Sequence, residues 1–166
     1  MEQVIGKYMV KSPYVAEPDN SLFDAQSVMS DCGIRHLPIL DEGKLVGLLS
    51  ERDLRAAMSL PQAAMLTVSD VMKRDVFVAK RTEPLRDLVR TMQERKLGST
   101  VVVNDSEDVV GIFTVTDALG MLADLLEQEE DSEDPNLHAY RKSVPDLVGL
   151  ATTQANKARE KSESGS

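Results

Sequence analysis

The sequence predicts a mixed α/β (α+β) fold of two β-α-β-β-α repeats packed with pseudo-twofold symmetry. Three observations predict it. The chain repeats itself, without gaps, over most of two copies. Within each copy, helical spacing alternates with short apolar runs joined by turn residues. A single copy of roughly 60 residues buries little surface alone, so the two copies are expected to share one core through their strands.

The repeat is the first signal to weigh, because it decides the architecture. The first copy begins VIGKYMVKSPYVAEPDNSLFDAQSVM from Val4, and the second TVSDVMKRDVFVAKRTEPLRDLVRTM from Thr67. A shift of 63 residues places Met9 on Met72, Val15 on Val78, Leu22 on Leu85, Asp24 on Asp87 and Met29 on Met92. It also places Ile34 on Leu97 and Ile39 on Val102. One residue is then inserted in copy two, and a shift of 64 places Gly47 on Gly111, Ser50 on Thr114 and Asp53 on Asp117.

The elements follow in order. Pro18-Asp19-Asn20-Ser21 is turn and capping chemistry, so a helix starts near Leu22, with Ala25, Gln26 and Met29 at helical spacing. His36 to Leu40 is a short apolar run that suits a buried strand. Asp41-Glu42-Gly43-Lys44 joins it to a returning strand, Leu45 to Leu49, as a hairpin. Ser50 caps a helix running to about Met58, and Ser59 to Leu66 link the copies. Copy two repeats the plan with a helix from Pro84, strands at Thr100 to Val103 and Val109 to Phe113, and a helix from Val115. The domains are thus expected at residues 1–62, 63–126 and 127–166. The last is a tail that opens with six acidic residues in eight, Glu127 to Asp134, a self-repelling and solvated block. Within it, Pro135 to Leu150 has the apolar content for a short helix, and Asn156 to Ser166 is polar and loose.

Composition narrows the function. With 42% apolar residues but only 4% aromatics and no Trp, the core must be Val, Ile, Leu, Ala and Met. A net charge of −9 without a Lys/Arg cluster argues against nucleic acid. The one cysteine, Cys32, makes no internal disulfide, reads as a small apolar filler, and fits a reducing cytoplasm. With His36 and His138 it makes too small a set for zinc. No signal peptide or apolar run of membrane length is visible. No converging nucleophile, base and orienting group appears, so no catalytic residues and no required cofactor are assigned.

Gly33 to Leu54 reads GIRHLPILDEGKLVGLLSERDL and Leu97 to Leu119 reads LGSTVVVNDSEDVVGIFTVTDAL. Both resemble the second half of a CBS (cystathionine-β-synthase) domain, which ends in Gly, two apolar residues, Ser or Thr, two variable residues and Asp. The resemblance runs from Val4 to about Leu126 and implies a tandem pair, or Bateman module. The residue types suit its chemistry. A hydroxyl at a helix start lies beside free N–H groups and a positive dipole end that favour phosphate, and an Asp in the first turn can accept from a ribose diol. The same residues also serve as plain N-caps in any protein.

The resemblance implies two clefts between the copies. One would use Arg35, Ser50 and Asp53, with Leu97, Gly98 and Ser99 against the base. The other would use Thr114 and Asp117, with Ile34, Arg35 and His36 against the base. Arg35 corresponds to Gly98, so the first cleft is expected to be the stronger, and Lys80, Arg81 or a partner chain would have to supply a cation to the second. His36 reads equally as a packing residue. The implied function is a non-catalytic regulatory module that binds AMP, ADP or ATP and signals to an unidentified protein partner. Alternatives are a dimeric scaffold with vestigial clefts, or a sensor for S-adenosylmethionine or a cyclic dinucleotide. Relatives suggest a homodimer, here through Leu22 to Ser30 with Glu51 to Met58, and Leu85 to Glu94 with Val115 to Leu126.

Overall fold

A computed structural model describes residues 3–131 of the 166, with side chains to Gln128. The segment Pro135 to Leu150, for which a helix was expected, lies outside the described residues. The elements are β1 (Val10–Lys11), α1 (Leu22–Cys32), β2 (His36–Asp41), β3 (Lys44–Ser50), α2 (Glu51–Met58), α3 (Val68–Val71), β4 (Val78–Lys80), α4 (Leu85–Arg95), β5 (Ser99–Val103), β6 (Val109–Thr114) and α5 (Val115–Asp131).

Local chemistry sets the boundaries. The Ser21 hydroxyl accepts from the Asp24 N–H and starts α1, which ends where Gly33 takes a left-handed φ of 63°. The β2–β3 hairpin turns through Glu42 and Gly43, both at positive φ (46° and 79°), as a two-residue loop requires. In repeat two the longer turn absorbs the inserted residue: the Asn104 side-chain oxygen accepts from the N–H groups of Ser106 and Asp108.

The sheets do not respect the repeat boundary. β2 pairs with β3 alone, whereas the second sheet has the order β1-β6-β5-β4, with β4 and β5 parallel and the other pairs antiparallel. β1, from the start of repeat one, thus edges the sheet of repeat two. The reciprocal crossing also occurs: Leu48 and Lys73 exchange two backbone hydrogen bonds of 2.9 and 3.0 Å, bringing the start of repeat two beside β3.

The core follows the crossing. One buried cluster joins Leu22, Met29, Leu37, Ile39, Leu49 and Leu54 to Val68 and Met72 of repeat two. The other joins Leu85, Leu88, Met92, Val102 and Phe113 to Ile5 and Met9 of repeat one. The expected single shared core is therefore two cores, each completed by a segment lent from the other repeat. Met9 and Met72 are the lent knobs, and two glycines are their sockets. A Cβ on Gly47 would lie 2.9 Å from Met72 Cγ, and one on Gly111 would lie 2.9 Å from Met9 Cγ. The repeated glycine of the motif is explained by this close approach.

Candidate functional site

Each candidate helix start is built at the end of a hairpin. Ser50, the last residue of β3, has extended backbone and caps α2. Its Oγ accepts from the Asp53 N–H at 3.2 Å and donates to Asp53 Oδ2 at 2.6 Å. The first N–H of α2, on Glu51, donates to the Arg35 carbonyl at 2.8 Å. The strand crossing delivers Lys73, whose Nζ lies 3.3 Å from Asp53 Oδ2. Partial burial pushes the Asp53 carboxyl up, but the Ser50 hydroxyl and the Lys73 ammonium outweigh it and hold the group below its ordinary value.

Thr114, the last residue of β6, does the same for α5 with a tighter cap. Its N–H and Oγ1 both donate to Asp117 Oδ2 at 2.7 Å, and the Asp117 N–H returns to Oγ1 at 3.3 Å. The Val115 N–H donates to the Gly98 carbonyl at 3.1 Å, the counterpart of the Glu51–Arg35 bond.

The segments before β2 and β5 meet at the seam between the repeats. Ile34 and Leu97 are half-buried behind them, Ser99 is buried, and Gly98 is exposed. His36 faces Gly98 so closely that a Cβ there would sit 3.6 Å from Nε2. Burial, and then the neighbouring Arg35 cation, lower the His36 pKa and favour the neutral ring.

Arg35 departs from the expectation. Its backbone serves α2, but its guanidinium crosses the seam and donates to Thr116 Oγ1, in the first turn of α5, at 2.7 Å. The guanidinium expected beside Ser50 and Asp53 therefore lies at the start of α5. Its own carbonyl meanwhile accepts from the Glu51 N–H at the start of α2. Lys80 Nζ lies 3.9 Å from Glu107 Oε1. Sequence reasoning missed Lys73 and Thr116. The available signal for Lys73 was its place directly after the repeated Met72, but the crossing that brings it to Asp53 is a tertiary fact.

A cavity of about 310 Å³ lies elsewhere, between α1 and α2, lined by Gln26, Ser30, Glu51, Leu54 and Arg55 among others, with no residue of repeat two. Among the described residues, no cluster of His, Cys, Asp or Glu is arranged to hold a metal, and no helix is long and apolar enough to cross a membrane.

Comparison with known proteins finds the CBS domain family model twice, at residues 5–60 and 68–124. An inosine-5'-monophosphate dehydrogenase from Nitrosopumilus maritimus is 31% identical over 160 residues, covering 96% of this chain but 30% of that protein. The uncharacterized protein MJ1225 of Methanocaldococcus jannaschii is 28% identical over 133 residues, 73% of this chain and 48% of that one. The chain thus spans less than half the length of these curated relatives. Among solved structures, the AcuB protein of Vibrio cholerae matches with a TM-score of 0.70 and 33% identity, covering 80% of this chain and 99% of its own. The CBS domain pair of protein MJ0100, solved with 5'-methylthioadenosine and S-adenosyl-L-methionine, matches with a TM-score of 0.68 and 28% identity, covering 74% and 98%.

Proposed function

The chain belongs to the CBS domain family, and from that premise we propose that it is a regulatory module that binds an adenine nucleotide (AMP, ADP or ATP) at the seam between its repeats and passes the change to a partner protein. The observation that carries this reading is the duplicated hydroxyl–carboxylate pair, Ser50 with Asp53 and Thr114 with Asp117, each at a helix start beside the seam. Backbone N–H groups and the dipole there favour an anion. The carboxylate bonds fall on Oδ2 in both pairs, and Oδ1 is the atom assigned to a ribose hydroxyl. The chain has no assigned catalytic group; its matches to longer enzymes cover only part of their length.

The ligands of the MJ0100 pair support a second reading, a sensor for S-adenosylmethionine or methylthioadenosine. The exposed apolar residues on α4 and α5, Val89, Leu119 and Leu122, support homodimerisation through repeat two. A signal requires the ligand to favour one packing of the repeats over another. The test is a thermal-shift series on wild type and the double variant Asp53→Ala/Asp117→Ala with AMP, ADP, ATP and S-adenosylmethionine. At about 100 times its dissociation constant a ligand adds about 2.7 kcal/mol. We expect a shift in wild type that is lost in the double variant; no shift with any of the four sinks the reading and leaves the scaffold alternative.

A further inference from the structure

Residues 3–12 belong to repeat one in sequence, yet among the described residues their backbone bonds outside themselves go only to repeat two. The Gln3 carbonyl accepts from the Leu85 N–H at 2.8 Å, and the Ile5 and Gly6 N–H groups donate to the Glu83 and Arg81 carbonyls at 3.0 and 2.8 Å. β1 pairs with β6, and the Ser12 N–H donates to the Val110 carbonyl at 3.2 Å. Ile5 and Met9 are buried in the cluster around Phe113. Bonding to repeat one begins at Ala16, which donates to Pro38 at 3.1 Å and accepts from Leu40 at 2.9 Å. Between the two, Pro13, Tyr14 and Val15 make no backbone hydrogen bond among the described residues, and Tyr14 and Val15 are exposed. Ser12 opens this connection at a φ of 50°. That is left-handed backbone, disfavoured in a non-glycine residue, and it stands directly before a proline, where extended backbone is preferred. The matching connection of repeat two, Asp75 to Val78, has no positive φ. Its Phe77 packs on the core, with the Arg95 guanidinium 4.9 Å from the ring centroid.

We propose that residues 3–12 form an exchangeable arm, and that its second acceptor is the same β6 edge and Gly111 socket on a second copy of this chain. β1 lies at the edge of its sheet, so its departure breaks no other strand pairing. A released arm bares Ile5 and Met9 and empties the socket, and both apolar surfaces are driven to be covered again. A second copy offers the same bonds and the same burial, so only the hinge differs between the closed chain and the exchanged pair. In the closed chain Ser12 holds the left-handed turn; in the exchanged pair the hinge runs extended and that strain is released. Against exchange, a short tether gives each chain's own arm an effective concentration of about a millimolar. Two hinges are released per dimer, each favouring exchange about tenfold. The dimer dissociation constant is then on the order of ten micromolar. The contact is separate from the face of Val89, Leu119 and Leu122 and does not rest on the nucleotide reading. It reaches that site nonetheless: Val10 stands to Ile112 as Lys73 stands to Leu48, so the partner copy would supply the strand edge beside β6, which ends at Thr114.

The experiment traps the arm on whichever copy holds it. A Cβ on Gly6 would lie 3.4 Å from Arg81 Cβ, close to the spacing a disulfide needs. The full chain carrying Gly6→Cys and Arg81→Cys, with Cys32→Ala to remove the native thiol, is equilibrated from about tenfold below to about tenfold above the expected constant. It is then oxidised and separated under denaturing, non-reducing conditions. A closed chain gives a covalent monomer and an exchanged pair a covalent dimer. We expect the dimer band to grow with concentration, and Ser12→Gly, which removes the strain from the closed hinge, to weaken dimerisation about a hundredfold. Covalent monomer at every concentration overturns the proposal, even where the native protein sediments as a dimer through another face. A dimer band that Ser12→Gly leaves unchanged also overturns it. Where the cysteine variant fails to fold, sedimentation of the wild type and of Ser12→Gly alone decides: a dimer weakened by the glycine supports exchange, and equal constants, or no dimer in wild type, overturn it.

Discussion

Repeat one closes its helix start with an ion pair contributed from outside, whereas repeat two closes its own. Asp53 is held by Ser50 and Lys73, and Asp117 by the Thr114 hydroxyl and backbone N–H. Repeat one also carries the less costly residue at two matching positions. Gly33 ends α1 in the left-handed region, where Lys96 ends α4 at a φ of 54°. Leu37 is a fully buried apolar residue, where Thr100 is equally buried with an unpaired hydroxyl. The comparison separates what the pair must keep from what each copy may vary. The methionine–glycine crossing is the same in both; caps, cations and helix ends differ.

The largest expected effect attacks what is shared. Gly47→Val and Gly111→Val each drive a side chain into the crossing methionine and should cost about 1–3 kcal/mol by overpacking. Adding Met72→Ala should restore part of the loss to Gly47→Val and none to Gly111→Val. Chemical denaturation of the four proteins checks this, and equal rescue of both would show that the crossings are not separate.

Next come substitutions that make repeat two more like repeat one. Lys96→Gly removes a left-handed non-glycine residue and should stabilise by up to about 1 kcal/mol. Thr100→Val removes the unpaired hydroxyl at nearly constant shape and should add about 1 kcal/mol. A lower melting temperature for Thr100→Val would mean that the hydroxyl has a partner in solution.

The smallest effect is electrostatic and confined to repeat one, since the counterpart of His36 is Ser99. Folded His36 has a lowered pKa from burial and Arg35, with Asp53 and Glu51 opposing and Lys73 reinforcing the shift. Below the ordinary value of 6.5, the unfolded chain takes up a proton that the folded chain refuses. Stability therefore falls as pH drops through that window and is regained above it. NMR titration should place the His36 midpoint below the ordinary value, and Arg35→Gly should raise it.

Much of this was legible beforehand. The insertion of one residue between the 63- and 64-residue shifts located the longer turn near Asn104, and Ser21, Ser50 and Gly43 marked the ends of elements by local chemistry alone. The destinations of long side chains were not legible. The Arg35 side chain bonds at the start of α5 although its carbonyl bonds at the start of α2, and Lys73 reaches Asp53 only because a strand edge crosses. The single-core expectation failed for the same reason: periodicity shows which face of an element is apolar, not which copy covers it.

That crossing has a consequence for the life of the nascent chain. Val10 pairs with Ile112, about a hundred residues later in translation. At about 5–20 residues per second, Ile5 and Met9 wait several seconds, unburied, for the sheet they complete. Repeat one, by contrast, can close as soon as Met72 has left the ribosome. Of the two repeats, the edge strand made earlier is thus among the last segments to find its place, and it is the stretch that chaperones and proteases would see longest.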